Sequence, residues 1–458
     1  MKQTYDLTQG KVTPLILRFY IPMFFTNLLQ QLYSIADTII VGKGLGDNAL
    51  AAVGNMSSLT FLIIGFSLGM ANGFTVLTAQ SYGAGDYARM RKTIASSIQL
   101  AAGIGAILTV LSVFYLRDVL VAMQTSELIL ADSLCYGYII FGGLAANIAY
   151  NLCACILRAL GDSRTPFFAI ITSTIVNVVF NCVFIFGLHM GVEGAAIATI
   201  FSQLMSAGIC LLKLRKIDII RLSAEDFRFD GSMMLALLKN GIPMACMNSI
   251  TAIGCMVVQY FVNGMGVAYT SAYSACSRYI NLFMQPACTA GFTMSSFTSQ
   301  NYGAGKFSRI REGLHVCLTI ALISYVLLGA VMVFFPRQLA SLMLTGEESI
   351  SLTMQYLSIC GITLCGVDFL FVFRSGVQGM GKPFIPMCSG IIEMVMRIAV
   401  IVLMVPEVGF RATAYAETVA WFGALALNFI AFQYLLSRRL RMEKRSAPVV
   451  HGVLQTAE

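Results

Sequence analysis

One aspartate, two asparagines and a threonine are the residues of this chain best suited to hold a small cation. Asp37 interrupts an otherwise apolar stretch, Asn177 and Asn181 share a helix face by their i, i+4 spacing, and Thr199 opens the following stretch. A carboxylate, two amide carbonyls and a hydroxyl form an all-oxygen set for a hard monovalent cation such as Na⁺, and the same carboxyl can carry a proton instead. Pro22 precedes Asp37 by 15 residues, about 22 Å of helix. It removes one backbone hydrogen bond and makes that helix a candidate hinge. The later part of the chain has a different set: Asp368, Glu393, Arg397 and Glu417, with Gln259 as the polar residue in the centre of its own stretch. Glu393 and Arg397 are i, i+4 and are expected to pair, with Glu417 at similar depth, while Asp368 lies nearer the cytoplasm as a coupling or substrate residue.

The elements that must position these groups are membrane helices. Of 458 residues, 57 % are hydrophobic and 11 % charged, against roughly a quarter charged in soluble domains. Apolar runs long enough to span a bilayer lie near 14–41, 53–78, 93–116, 130–157, 166–188, 194–213, 234–262, 268–298, 313–335, 351–379, 384–405 and 411–436. The expected fold is an all-α polytopic membrane protein of twelve transmembrane helices. A charge inside such a helix costs roughly 2.5–3.5 kcal/mol on insertion scales, which makes every acid named above a functional candidate. Asp6, Lys11, Arg18 and Pro22 interrupt the first run, so no cleavable signal peptide is expected. The 13 cysteines fall mostly within runs and are read as packing residues, and the 3 histidines lack metal-ligand spacing.

Lys and Arg alternate between the two ends of the predicted helices. Lys2, Lys11, Arg89, Arg91, Lys92, Arg158, Arg164, the basic residues from Lys213 to Arg228 and from Lys306 to Arg311, Lys382 and the 438–445 cluster fall on one side, against Lys43, Arg117, Arg337 and Arg411 on the other. Both termini are therefore expected in the cytoplasm. This asymmetry accounts for the net charge of +8 without any nucleic-acid partner.

The string QSYGAGDYARMRK at 80–92 returns as QNYGAGKFSRIRE at 300–312. Gly83 and Gly303, Gly161 and Gly381, and Pro166 and Pro386 each differ by 220, and Pro22 and Pro243 by 221. The chain thus reads as two homologous six-helix bundles, 1–215 and 232–445, with a linker at 216–231 and a cytoplasmic tail at 446–458. Because six is even, the halves enter the membrane in the same direction and are related by a pseudo-twofold axis along its normal, as in transporters that rock two bundles about a central site.

With IPMFFTNLLQQLYSIADTIIVGKGLGDNALAAVG at 21–54, AQSYGAGD at 79–86, ILRALGDSRTP at 156–166 and the echoes QNYGAG and GVQGMGKP, the chain resembles the multidrug and toxic compound extrusion (MATE) family over almost its whole length. The resemblance implies a V-shaped pair of bundles in the cell membrane. It also implies export of small amphiphilic, often cationic organic compounds in exchange for Na⁺ or H⁺, by alternating access and without a cofactor. A monomer in the lipid bilayer is expected. In that family the positions matching Asp37, Asn177, Asn181 and Thr199 form the cation site of the amino-terminal lobe, and Asp368 matches an acid that some members use in the other lobe. Gln259 stands where such members can carry a second acid, a departure that counts against a complete second cation site. The wider superfamily also includes flippases for lipid-linked saccharides, which should present several free basic residues in the central cavity. No GxxxxGK[ST] string supports direct nucleotide coupling, and no cluster with catalytic spacing supports an enzyme.

Overall fold

The computed structural model describes residues 6–123 and 125–446. The tail proposed at 446–458 falls, but for its first residue, outside them, as does Lys2. The first bundle contains α1 (Val12–Leu45), α2 (Asp47–Gly83), α3 (Tyr87–Ala122), α4 (Glu127–Gly142), α5 (Leu144–Ala159), α6 (Arg164–Asn181) and α7 (Val192–Arg215). The second contains α8 (Gly231–Asn263), α9 (Val267–Phe283), α10 (Gln285–Gly303), α11 (Phe307–Phe334), α12 (Pro336–Met343), α13 (Glu347–Gly379), α14 (Phe384–Val408) and α15 (Arg411–Ser446). A π-helical turn, Cys182–Gly187, continues α6, and a 3₁₀ turn, Asp218–Ile220, lies between the bundles.

Among the described residues, ten helices are long and apolar enough to cross a membrane, and α4 with α5, bent by 46°, make an eleventh crossing. The twelfth predicted run, 268–298, is divided into α9 and α10. The reason it falls short on apolarity is visible in α10, where Thr289, Thr293, Thr298, Ser299, Gln300 and Asn301 are all buried. This helix is enclosed by protein, and its hydroxyls bond back to carbonyls one turn earlier, as Thr289 does to Gln285 O at 2.8 Å and Thr293 to Thr289 O at 2.9 Å. The breaks are exchanged between halves: α2 is continuous where α9 and α10 are split, and α13 is continuous where α4 and α5 are bent. The short α12 was not expected from the sequence.

Each bundle has a core at either end, and the apolar outer faces carry large exposed side chains such as Phe61, Phe114, Leu327 and Leu403. Such exposure is the favourable state against lipid tails. The first part of α1 crosses over: Leu7, Val12 and Ile16 pack in one core with Ala290, Met294, Phe297 and Phe432 of the second bundle. Beyond Pro22 the same helix turns to the first bundle, with Leu29 and Val41 in its cores while Asn27 still bonds Thr289 of the second, so the proline sits near the handover. The linker lies beneath α3, with Lys92 Nζ 2.5 Å from Asp230 Oδ2 and Gln99 Nε2 donating to Phe227 O at 2.7 Å. Asp230 also caps α8 through Met233 N at 3.0 Å. The hydrogen bond from Lys92 holds its carboxyl below the usual carboxylate range.

The bundles meet at the end that carries the two YGAG turns, here called the basic end. Gly85 and Gly305 take φ of 73° and 72°, which permits the same tight turn in both copies. Gly83 and Gly303 have a second duty, because a Cβ on Gly83 would run into Gln300 O and one on Gly303 into Gln80 O. The repeated string is thus the pseudo-twofold crossing of α2 and α10. Gln80 Nε2 donates to Gly379 O at 3.0 Å, and Gln300 Nε2 donates to Ala159 O at 2.7 Å. Both glutamines and both acceptors are 220 residues apart, so one bond is the symmetry mate of the other. Leu7 N adds a bond to Gln300 Oε1 at 2.9 Å, and Lys306 Nζ and Arg309 Nη1 reach the carbonyls of Thr8 and Gly10, each at 2.8 Å. Farther along, Asn27 Nδ2 bonds Thr289 Oγ1 at 2.8 Å and Asn248 Nδ2 bonds Gly65 O at 3.1 Å.

Candidate functional site

The first group assembles where the outer part of α1 lies against α6. Buried positions of α6 are Pro166, Ala169, Ile170, Ser173, Asn177 and Asn181, a stripe at helical spacing that ends in the two amides. Asn181 Nδ2 donates to Asp37 Oδ1 at 2.7 Å and to Asn177 Oδ1 at 2.9 Å. Both asparagines are 0 % exposed, and Asp37 is half-buried. The structure thus brings Asp37, Asn177 and Asn181 into one hydrogen-bonded chain. Thr199 is not part of that chain; its Oγ1 accepts from the Tyr33 hydroxyl at 3.5 Å.

Tyr33 was missed at the sequence level, although it stands i, i+4 from Asp37 on the same helix and so had a detectable spacing. The π-helical turn that begins immediately after Asn181 was also missed; such turns concentrate at functional sites because they re-aim neighbouring side chains. Asn181 Oδ1 and Asn177 Nδ2 are buried without hydrogen-bond partners. An orphaned amide oxygen beside a carboxylate fits a cation, which would accept both as ligands.

The second group divides differently from expectation. Glu393 is bound by Arg374 of α13, while Arg397 Nη2 donates to Glu417 Oε2 at 2.7 Å and stands 4.0 Å from Glu393 Oε1. The expected Glu393–Arg397 pair is therefore the loose middle contact of a four-residue chain. The reason is geometric: each glutamate finds a guanidinium on a facing helix, where the side chains meet end on rather than side by side. Arg374, unassigned from the sequence, is the missing member. Two positive and two negative groups make the chain neutral, while Arg374 Nε and Arg397 Nε and Nη1 stay buried without partners.

Asp368 is 0 % exposed, and neither carboxylate oxygen has a hydrogen-bond partner. Gln259 does not reach it; its Nε2 donates to Asn263 Oδ1 at 2.7 Å at the far end of its own helix. Asp368 and Gln259 therefore do not form a joint site in this structure. By the repeat offset, Arg397 occupies the place of Asn177, 220 residues earlier, and Glu417 that of Thr199, 218 earlier.

Comparison with known proteins gives a consistent picture. The MatE family model matches the chain twice, over residues 22–183 and 243–403. The probable multidrug resistance protein YoeA of Bacillus subtilis (strain 168) is 28 % identical over 368 residues, 77 % of this chain and 79 % of that protein. The FAD transporter of Shewanella oneidensis is 22 % identical over 420 residues, 89 % of this chain and 90 % of that protein. A solved structure of the outward-facing conformation of a multidrug resistance MATE family transporter of the MOP superfamily matches with a TM-score of 0.89 at 22 % identity, covering 96 % of this chain and 99 % of that one. At that identity the structural likeness speaks to fold.

Proposed function

The chain belongs to the MatE family of membrane transporters, and from that premise we propose that it is a secondary antiporter exporting amphiphilic, often cationic organic compounds in exchange for Na⁺ or H⁺. The observation that carries the coupling role is Asp37, held 2.7 Å from Asn181 beside an unpartnered amide oxygen. Asp37, Asn177, Asn181 and Thr199 form the exchanging ion site in this reading. Binding of the ion, or of a proton on Asp37, competes with the Asn181 amide for the carboxylate. That competition changes what fastens the outer part of α1 to α6, and Pro22 lets the helix respond by bending.

The lobes, bounded at 1–215 and 232–445, rock about the crossing of α2 and α10, and the 216–231 segment tethers them. Asp368 is the second proton or substrate group of the cycle. The chain works as a monomer in the cell membrane with the basic end, and both termini, in the cytoplasm. Multidrug export agrees with the name borne by the Bacillus relative. A flippase for a lipid-linked saccharide would call for free basic groups, whereas Arg374 and Arg397 are both committed to glutamates.

The test is ethidium efflux from vesicles under an imposed Na⁺ gradient or an imposed proton gradient, in the parent and in Asp37→Asn. Efflux driven by one gradient and lost in the variant is the expected result. Ethidium movement indifferent to both gradients would remove the antiporter reading, and parental rates in the variant would remove the site.

A further inference from the structure

The first helix of the second bundle, α8, begins on the first lobe. Met233, Leu237, Leu238 and Ala245 share a core with Met70 and Phe74 of α2 and with Leu100 and Ile104 of α3. A Cβ on Gly73 or Gly69 would run into the α8 backbone at Asn240 or Ala245. On another side of α8, Gly390 of α14 packs against Met247. One face stays uncovered: Leu235, Lys239 and Ile242, a stripe at helical spacing, are all exposed. Since the lobes meet at the basic end, an uncovered face there looks to the lipid and not into a cleft.

Lys239 is therefore a cation set between two aliphatic side chains, Leu235 at 53 % and Ile242 at 46 % exposure. Among the described residues it makes no ion pair or side-chain hydrogen bond. A charge within hydrocarbon is costly unless its long stem carries it to the headgroups. The length of α8 brings the ammonium within that reach: 33 residues make a helix of about 50 Å, about 20 Å longer than the hydrocarbon core. Lys239 follows Gly231 by about 12 Å of rise, which puts it at the boundary of the hydrocarbon. The linker supplies the rest of the patch. Phe227 and Phe229, just before the Asp230 cap of α8, are 39 % and 79 % exposed, and Arg228 between them is exposed and without an ion pair. Rings and a guanidinium next to a lipid-facing stripe are the composition of a membrane–water interface. The other half treats the corresponding segment in the opposite way. By the 221 offset, Leu7 and Thr8 stand where Arg228 and Phe229 do, yet they are 2 % and 6 % exposed and their carbonyls accept from Arg309 and Lys306. One copy is covered by protein; the other is left open with two uncommitted cations.

We propose that this seam, where α8 passes from the first lobe to the second, binds an anionic phospholipid of the leaflet at the basic end. Lys239 and Arg228 hold its phosphate, its acyl chains lie along Leu235 and Ile242, and Phe227 and Phe229 sit at headgroup depth. The occupant is a lipid and not a soluble anion because the cations border an exposed apolar stripe that only acyl chains would cover. The site is separate from the exporter reading and requires only that the chain be embedded in a bilayer.

The experiment uses the full-length protein in phosphatidylcholine nanodiscs. Trp421 is the single tryptophan of the chain, so Phe229→Trp in a Trp421→Phe background places one fluorophore at the patch. Brominated phosphatidylglycerol or brominated phosphatidylcholine is then added at equal mole fraction, and quenching gives their relative affinity for the seam. Each cation near an anionic headgroup is worth about fivefold, so the reporter protein should prefer phosphatidylglycerol by about twenty-five-fold. Lys239→Gln and Arg228→Gln should each lower the preference to about fivefold, their combination should bring it near one, and Lys239→Arg should keep it. Arg441→Gln, which removes an exposed cation of the same end on α15, should leave it unchanged. If thermal unfolding shows that Lys239→Gln is misfolded, Arg228→Gln, in the exposed linker, gives the reading alone.

Equal quenching by the two brominated lipids in the reporter protein, or a preference unchanged in Arg228→Gln, would overturn the proposal. So would an equal loss in Arg441→Gln, which would assign the preference to diffuse surface charge. Millimolar glycerol phosphate should not relieve the quenching; relief would assign the cations to a soluble phosphate and overturn the lipid assignment. Failure of gradient-driven ethidium efflux would defeat the exporter reading while leaving the quenching ratio intact, so the two ideas fail separately.

Discussion

Replacing the two symmetry-related glutamines should loosen the basic end by unequal amounts. Gln80 contributes one inter-lobe bond, to Gly379 O at 3.0 Å. Gln300 likewise contributes one, to Ala159 O at 2.7 Å, but it is 0 % exposed where Gln80 is half-buried, and it also accepts from Leu7 N at 2.9 Å within the second bundle's own core. A net value of about 1 kcal/mol per bond makes Gln80→Leu shift the balance between closed and open basic ends about fivefold. Gln300→Leu also removes one inter-lobe bond but strands Ala159 O in a buried place that water does not reach while the lobes are together, which raises the cost to about 2 kcal/mol and the shift to about thirtyfold.

The orphaned groups are penalised only while the lobes are together, because separation gives them water. The substitutions therefore act on the equilibrium between conformations more than on folding. Spin labels on Ala88 and Ser308, which are exposed symmetry mates at the basic end, report the lobe separation through pulsed dipolar spectroscopy. The long-distance population should rise from parent to Gln80→Leu to Gln300→Leu. Identical distributions in all three, or a larger effect from Gln80 than from Gln300, would refute the reasoning.

Other outcomes follow from the same geometry. Pro22→Ala restores a backbone donor where α1 passes between bundles and should slow transport several-fold without lowering thermal stability; unchanged turnover would count against the hinge. Glu417→Leu leaves Arg397 with only its 4.0 Å contact to Glu393 and should cost about 3–5 kcal/mol in detergent unfolding, whereas Arg397→Met with Glu417→Leu together should cost less than the single change. Asp230, held low by Lys92, should keep the linker fastened at neutral pH and release it only as pH falls through that lowered value. Asp230→Asn should therefore raise amide exchange in 216–231 at pH 7 and flatten its acid dependence.

How much of this was legible in the sequence depends on which physical signal each feature leaves. The repeat was legible because a turn such as YGAG is fixed by backbone geometry, and the constant offset then located the Gln80 and Gln300 mates without any structure. Eleven crossings were legible because lipid demands apolar surface. The composition of α10 gave a weaker signal because its neighbours are protein, and Thr, Ser, Asn and Gln can be satisfied there by carbonyls of the same helix and by the opposite lobe. The Asp37, Asn177 and Asn181 chain was legible from types and i, i+4 spacing, since those groups sit on two adjacent helices whose depths can be counted. Partner choice in the second lobe was not. Spacing puts Glu393 within reach of Arg397, but whether it turns instead to Arg374 depends on the rotation of α13 against α14, for which the residue pattern of either helix alone carries no signal.

The offset that exposes the fold also isolates where the halves have diverged. At the position of Asn177 the second half places Arg397, and at that of Thr199 it places Glu417, joined at 2.7 Å. A guanidinium tied to a carboxylate is a cation that cannot leave, whereas Asp37 of the first half is held by the Asn181 amide and has no cationic side chain paired to it among the described residues. Two bundles with one backbone plan therefore differ in electrostatics: the second is held by internal charge pairs, and the first has an acid that, in the proposed function, exchanges its partner. The proposed alternation needs only one of the lobes to respond to an ion, because the close crossing at Gly83 and Gly303 couples the two.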